Sequence, residues 1–360
     1  MPDTAAAARA ARELIDMFGP GLITAQQAHR VISDRALRTA VARGTVIRLH
    51  RGVYAVARDR SDRSDYCLRV AAAIAVRPGA TASHESALAL HGLSLPTFGG
   101  NWRDLPVRLI APHGERVSSA SLRVSRRSLP DAHRSTTSWG PATSPARTAV
   151  DLARELPFAA GLLVADEACA LALLAQHRPA IDFIAARDWP GYRTVVANRW
   201  SDAQELLRLV ESEAPWQSGR SRVRRVAQWV DPAAESPGES VSRAHLVAAG
   251  LPRPQLGLRV AGDDGQVFYA DLAWAEHGVL GEVDGFGKYR DDAWDTFRRE
   301  KRREDALRAA GWTVIRWTVS DVLRNPAWVV KRVKRALSAA QPSGRPSLPG
   351  AGAPWKRPKP

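Results

Sequence analysis

The strongest constraint on what this chain can fold into lies between Glu239 and Leu337, where the apolar period changes in a fixed order. A helical pattern from Glu239 to Ala249 stops at Gly250. Three strand patterns follow, at Gln255 to Val260, Val267 to Ala273 and Val279 to Val283, with Asp263-Asp264-Gly265 turning the first hairpin. A long helix from Asp292 to Ala310 ends at Gly311, and a strand from Trp312 to Thr318 and a helix from Ala327 to Leu337 close the run. The order αβββαβ predicts a compact α/β domain over residues 230–337. At roughly 150 residues per domain, a chain of 360 residues has room for one or two more.

Acidic residues sit where this layout can use them. Asp271 lies near the end of one strand, and Glu282 and Asp284 lie at the end of its neighbour, so the hairpin can set Asp271 beside Glu282. Two adjacent carboxylates repel unless a cation joins them. Hard oxygen donors suit Mg²⁺, which polarises a scissile phosphate and lowers the pKa of an attacking water. Glu239, on the preceding helix, can complete the acidic shell. The alternative is that Asp271 and Asp284 cap strand ends and Glu282 pairs with an Arg of the 298–303 cluster, since a buried carboxylate needs a partner. That helix carries Arg298, Arg299, Lys301, Arg302 and Arg303, which can track a phosphate backbone or pair with the interleaved Glu300, Glu304 and Asp305.

The front of the chain has a different grammar. Leu14, Ile15 and Phe18 space an apolar face, Thr24 and Gln27 form a capping box, and Ser33 can cap a helix from Asp34 to Arg43 that Gly44 stops. Val46 to Leu49 and Gly52 to Val56 alternate about His50-Arg51-Gly52, a hairpin pattern. Three helices and a two-stranded wing over residues 9–57 make a winged helix-turn-helix. In that arrangement Arg35, Arg38, Thr39 and Arg43 on the third helix face a major groove, and Arg48 and Arg51 reach phosphates. Winged helices also serve as protein-interaction modules. After a charged linker, Asp59 to Asp65, residues 66–185 read as a middle α/β module, with helices at Cys67 to Val76 and Ser83 to His91, strands at Val107 to Ala111 and Leu122 to Arg126, and a helix opening at Thr143-Ser144-Pro145. His84 and His91 share a helix face but lack a third ligand, so polar packing is expected there.

Residues 186–229 read as helices bridging to the last domain, and residues 341–360, with six prolines, three glycines and four cations but no acid, as a disordered tail. The chain has 52 Lys and Arg against 37 Asp and Glu, a net +15 that favours a polyanionic partner, although an Ala- and Arg-rich composition produces the same surplus. The most apolar stretch, Phe158 to Ala175, carries Asp166 and Glu167, which argues against a membrane span; with no signal segment visible, a cytoplasmic protein is expected. Cys67 and Cys169 are isolated and read as core residues. The first of six lysines is Lys288, in a chain that otherwise uses Arg as its cation.

The runs Ala270-Asp271-Leu272-Ala273, Gly281-Glu282-Val283-Asp284-Gly285 and Gly311-Trp312-Thr313-Val314-Ile315-Arg316-Trp317 resemble the PD-(D/E)xK nuclease superfamily, in its very-short-patch-repair endonuclease-related branch. The resemblance implies a restriction-endonuclease-like domain with a metal site of Asp271 and Glu282 and an outer carboxylate, Glu239. It departs at Asp284, where the superfamily places a Lys; the repair-endonuclease branch lacks that Lys too. Lys288 is the candidate for a migrated cation that assists the water, with Lys301 a second candidate, although Lys288 can equally pair with Asp284. The N-terminal pattern together with Ser83-His84-Glu85-Ser86-Ala87 and Thr143-Ser144-Pro145-Ala146-Arg147-Thr148 resembles the AbiEi-type antitoxins, in which a winged helix binds operator DNA and the rest neutralises a nucleotidyltransferase toxin. The nuclease-like end lies outside that family's basic pattern. The expectation is therefore an α/β multidomain, duplex-DNA-binding protein with a candidate Mg²⁺-dependent endonuclease domain. The alternatives are a non-catalytic regulator or antitoxin and a protein-binding scaffold.

Overall fold

The computed structural model describes residues 2–113, 116–176, 189–212, 218–285 and 293–339. It divides into two compact units, Met1–Leu152 and Ala153–Pro360. The tail at 341–360 and Lys288 lie outside the described residues, as do 177–188, where the middle module was expected to end and the bridging helices to begin.

The first unit opens with α1 (Pro2–Phe18), β1 (Ile23–Thr24), α2 (Ala25–Ala28), α3 (Asp34–Ala42) and a hairpin, β2 (Val46–His50) and β3 (Val53–Val56). Local chemistry sets the boundaries. Thr24 and Gln27 form the capping box of α2, and the Ser33 hydroxyl accepts from the Ala36 N–H at 3.2 Å to start α3. Gly52, at φ +74°, supplies the left-handed residue of the hairpin turn. Leu14, Ile23, Leu37, Ala40, Val46 and Val56 close one core, so α1, α3 and the hairpin share a single apolar centre. β1 adds a third strand beside β3, an element too short for its alternation to register in the sequence.

The same unit continues with α4 (Asp62–Ala75), β4 (Thr81–Ala82), α5 (His84–Leu90), β5 (Val107–Ile110), β6 (Val117–Ser118), β7 (Leu122–Ser125), β8 (Arg134–Thr137), β9 (Gly140–Thr143) and α6 (Pro145–Glu155), which runs across the unit boundary. The strands form one mixed sheet in the order β6-β7-β5-β4-β9-β8. α4 begins inside the expected linker because Ser61 caps it, its hydroxyl accepting from the Ser64 N–H. His84 is buried beside the Ser83 hydroxyl, and His91 Nε2 lies 2.7 Å from the Thr143 carbonyl, so both take the polar-packing role.

The second unit holds α7 (Phe158–Leu174), α8 (Trp189–Val196), α9 (Trp200–Ser212), α10 (Arg220–Trp229), α11 (Pro237–Ala248), β10 (Gln255–Ala261), β11 (Val267–Trp274), β12 (Val279–Asp284), α12 (Ala293–Ala309), β13 (Thr313–Thr318), α13 (Val319–Arg324) and α14 (Pro326–Ala339). β10, β11 and β12 are antiparallel neighbours, and β13 joins β12 in parallel after the α12 crossover. The αβββαβ order is thus present. Leu258, Ala273, Leu280 and Val314 pack under Leu307 of α12. On the strands Gly281 stands against Trp317, where a Cβ would meet the indole at 2.6 Å.

α7 is apolar on every side and packs on α10 and α11. Its one fully buried acid explains the attachment. Asp166 accepts from Arg243 Nη2 at 2.5 Å, the Ser240 hydroxyl at 2.7 Å and the Asp231 N–H at 2.8 Å, with both charged side chains 0% exposed. A carboxylate deep in an apolar helix is tolerable only with such partners, which fixes α7 to the helix that precedes the four-stranded sheet.

Candidate functional site

The carboxylates converge on the end of the β11–β12 pair. The ladder pairs Leu272 with Gly281, so the next step sets Asp271 beside Glu282 on one face of the sheet. Asp271 Oδ2 accepts from the Val283 N–H at 2.7 Å, drawing that carboxylate onto the main chain of β12. Glu282 is 5% exposed, and Arg303 Nη2 lies 3.0 and 3.1 Å from its two carboxylate oxygens. The same nitrogen donates to the Tyr269 carbonyl at 2.9 Å. Burial, and then the nearby Asp271 charge, push the Glu282 carboxyl up to about 8, while Arg303 and Arg316 oppose that rise.

Glu239 serves the N-terminus of α11. Its oxygens accept from the Ser236 hydroxyl at 2.8 Å and the Glu235 N–H at 2.9 Å, and the Ser236 hydroxyl accepts from the Glu239 N–H. Burial and Asp271 push its carboxyl well above the usual range. Glu235 pairs with Arg193 at 2.6 Å, and the Arg193 guanidinium lies over the Tyr269 ring. Asp284 lies 3.9 Å from Arg316, which also holds Glu300 at 2.7 Å and Glu304 at 3.2 Å. Lys301 is exposed on α12.

Hard oxygen donors on a shared face are the right chemistry for Mg²⁺, and in this structure the oxygens of Glu282 and Glu239 have partners within the chain. Among the described residues no group of three or more His, Cys, Asp or Glu is placed to hold a metal. Both Glu282 oxygens face a guanidinium, and both Glu239 oxygens face N–H or O–H donors. Of the alternatives open in the sequence, the structure contains the pairing of Glu282 with the 298–303 cluster. Arg303 is the residue that the sequence did not single out. A signal was present: Arg303 stands one turn before the core residue Leu307, so it is aimed at the sheet. Glu300 and Glu304 likewise spend themselves on Arg316 and Arg308, leaving Lys301 and Arg302 outward.

In the first unit the buried stripe of α3 leaves its cations outside. Arg35, Arg38 and Arg43 are exposed, as are Arg48 and Arg51 on the hairpin. Arg38 pairs with Asp34 at 2.6 Å, one turn back. Thr39 is half-buried, and its hydroxyl donates to the Arg35 carbonyl at 2.9 Å, so it serves the helix backbone. All six positions named for DNA contact thus lie on two adjoining elements of one core.

Residues 12–57, which span α1 to the hairpin, match the family model described as a transcriptional regulator, AbiEi antitoxin. Two uncharacterized proteins of Mycobacterium tuberculosis, from strains CDC 1551 and H37Rv, are each 29% identical to the chain over 319 residues, covering 87% of it and 100% of their own length. The similarity therefore runs through both compact units. Among the described residues no helix is long and apolar enough to cross a membrane.

Proposed function

We propose that this chain is a DNA-binding transcriptional regulator of the antitoxin type, acting in the cytoplasm, whose residues 9–57 form a winged helix-turn-helix. Helix α3 enters a major groove with Arg35, Arg38 and Arg43 toward base edges and phosphates, and the hairpin sets Arg48 and Arg51 on the flanking backbone. The observation that carries this reading is the division of α3 into a buried Leu37 and Ala40 side and an exposed cationic side, within the segment that matches the regulator model. A nucleotidyltransferase toxin is the protein partner that the antitoxin likeness implies.

In this reading the αβββαβ domain binds without cutting. Its acids are satisfied from within the chain, Glu282 by Arg303, Glu239 by the first turn of α11, and Asp284 by Arg316. Fluorescence anisotropy with the chain's own promoter duplex tests the first part. Wild type prefers it over random sequence, and Arg35→Ala with Arg38→Ala removes most of that preference, each lost base contact costing about 1–3 kcal/mol. Equal affinity of both proteins for the promoter refutes the reading. Plasmid nicking in Mg²⁺ or Mn²⁺ tests the second part: background cleavage is expected, and cleavage that Glu282→Ala abolishes overturns it.

A further inference from the structure

Helix α14 buries Val329 and Val333 against β12, β13 and α11. Its other sides carry Trp328, Lys331, Arg332, Lys334 and Arg335, all exposed, and the helix contains no acidic residue. Trp328, Lys331, Arg332 and Arg335 stand at i, i+3, i+4 and i+7, a spacing that gathers them on one face about 10 Å long, and the exposed Lys334, three residues after Lys331, lies on its flank. Trp328 remains 40% exposed although it is a large aromatic ring. The Arg332 guanidinium lies 4.7 Å over that ring and donates to the Arg316 carbonyl at 3.0 Å, which fixes both side chains at the surface.

Two ordinary reasons for a run of cations fail here. The last turn of α14 holds no basic residue, so the helix dipole does not explain them. Among the described residues no acid pairs with Lys331, Lys334 or Arg335, in contrast to Arg303, Arg308 and Arg316 on the elements alongside. Only six of the 52 cations are lysines, and two of them stand on this helix. An ammonium on a flexible stem suits a phosphate met as a point charge, without reading a base.

We propose that this face of α14 docks on the phosphate backbone of duplex DNA, a sequence-independent contact in the second unit that supplements the reading by α3. It rests on DNA being the ligand of this chain, as argued above. The test is the salt dependence of full-length protein binding to a random-sequence duplex. Lys331→Ala, Lys334→Ala and Arg335→Ala together remove three phosphate contacts and make the slope of log affinity against log salt shallower by about 2.7. Trp328→Ala, which leaves the charge unchanged, weakens binding at every salt concentration without changing the slope. An unchanged slope in the triple variant, with native circular dichroism, overturns the proposal. So does a triple variant that loses binding to anionic phosphatidylglycerol vesicles while its DNA slope stays that of wild type. If wild type shows no promoter preference yet the triple variant flattens the slope, the regulator reading fails and the α14 contact stands.

Discussion

Replacing Glu282 by Gln isolates the electrostatics of the carboxylate cluster. The folded carboxyl sits at about 8 against the usual 4.5, because burial and Asp271 disfavour its charge more than Arg303 favours it. Between those two values the folded chain keeps a proton that the unfolded chain has released. Stability therefore falls as pH rises through that window, and it levels off above about 8. At 1.36 kcal/mol per unit, the rise corresponds to about 5 kcal/mol lost between acid and alkaline conditions. Gln keeps the volume and an acceptor for Arg303 but cannot ionise, and Arg303, with its side chain 23% exposed, is served by water. The variant is expected to match wild type within about 1 kcal/mol near pH 5 and to exceed it by several kcal/mol at pH 9. Urea unfolding at pH 5, 7 and 9 measures the difference. A stability gap that stays constant across that range refutes the argument. Millimolar Mg²⁺ provides a second check. A divalent ion held at 100 times its Kd would stabilise wild type by about 2.7 kcal/mol, and such a gain, absent from the Gln variant, would show that the ion displaces Arg303.

Arg243→Met strands the fully buried Asp166 carboxylate and is expected to cost about 3–5 kcal/mol in the same unfolding assay; burial already raises the Asp166 carboxyl, so the loss shrinks as pH is lowered. Gly281→Ala drives a methyl into the Trp317 ring and costs about 1–3 kcal/mol, with a change in tryptophan fluorescence marking the shift of the ring. Ser33→Ala removes the cap of α3 and costs about 1 kcal/mol, read as lower protection of the α3 amides in hydrogen exchange.

Where period and punctuation act locally, the sequence was sufficient. The caps Thr24 and Ser33, the hairpin about Gly52 and the αβββαβ order with its Asp263-Asp264-Gly265 turn are consequences of neighbours in the chain, and each stands within a residue or two of its expected place. The placement of Asp271 beside Glu282 was equally legible, because antiparallel pairing with a known turn fixes which residues face each other. Strands such as β4 and β9 were not, since two residues, or a Gly-Pro start, carry no alternation, and their partners in the sheet are what hold them extended.

Which cation meets which acid across different elements was decided by the tertiary structure alone. The sequence placed several arginines near several carboxylates, and Coulomb attraction does not choose among them. The choice came from the crossing of α12 over the sheet, which brings Arg303 to Glu282 and Arg316 to Glu300 and Glu304, and from the burial of α7, which sends Asp166 to Arg243. Desolvation matters most where the pair is sealed, as for Asp166 with Arg243, because a polar group removed from water needs a partner wherever packing has put it.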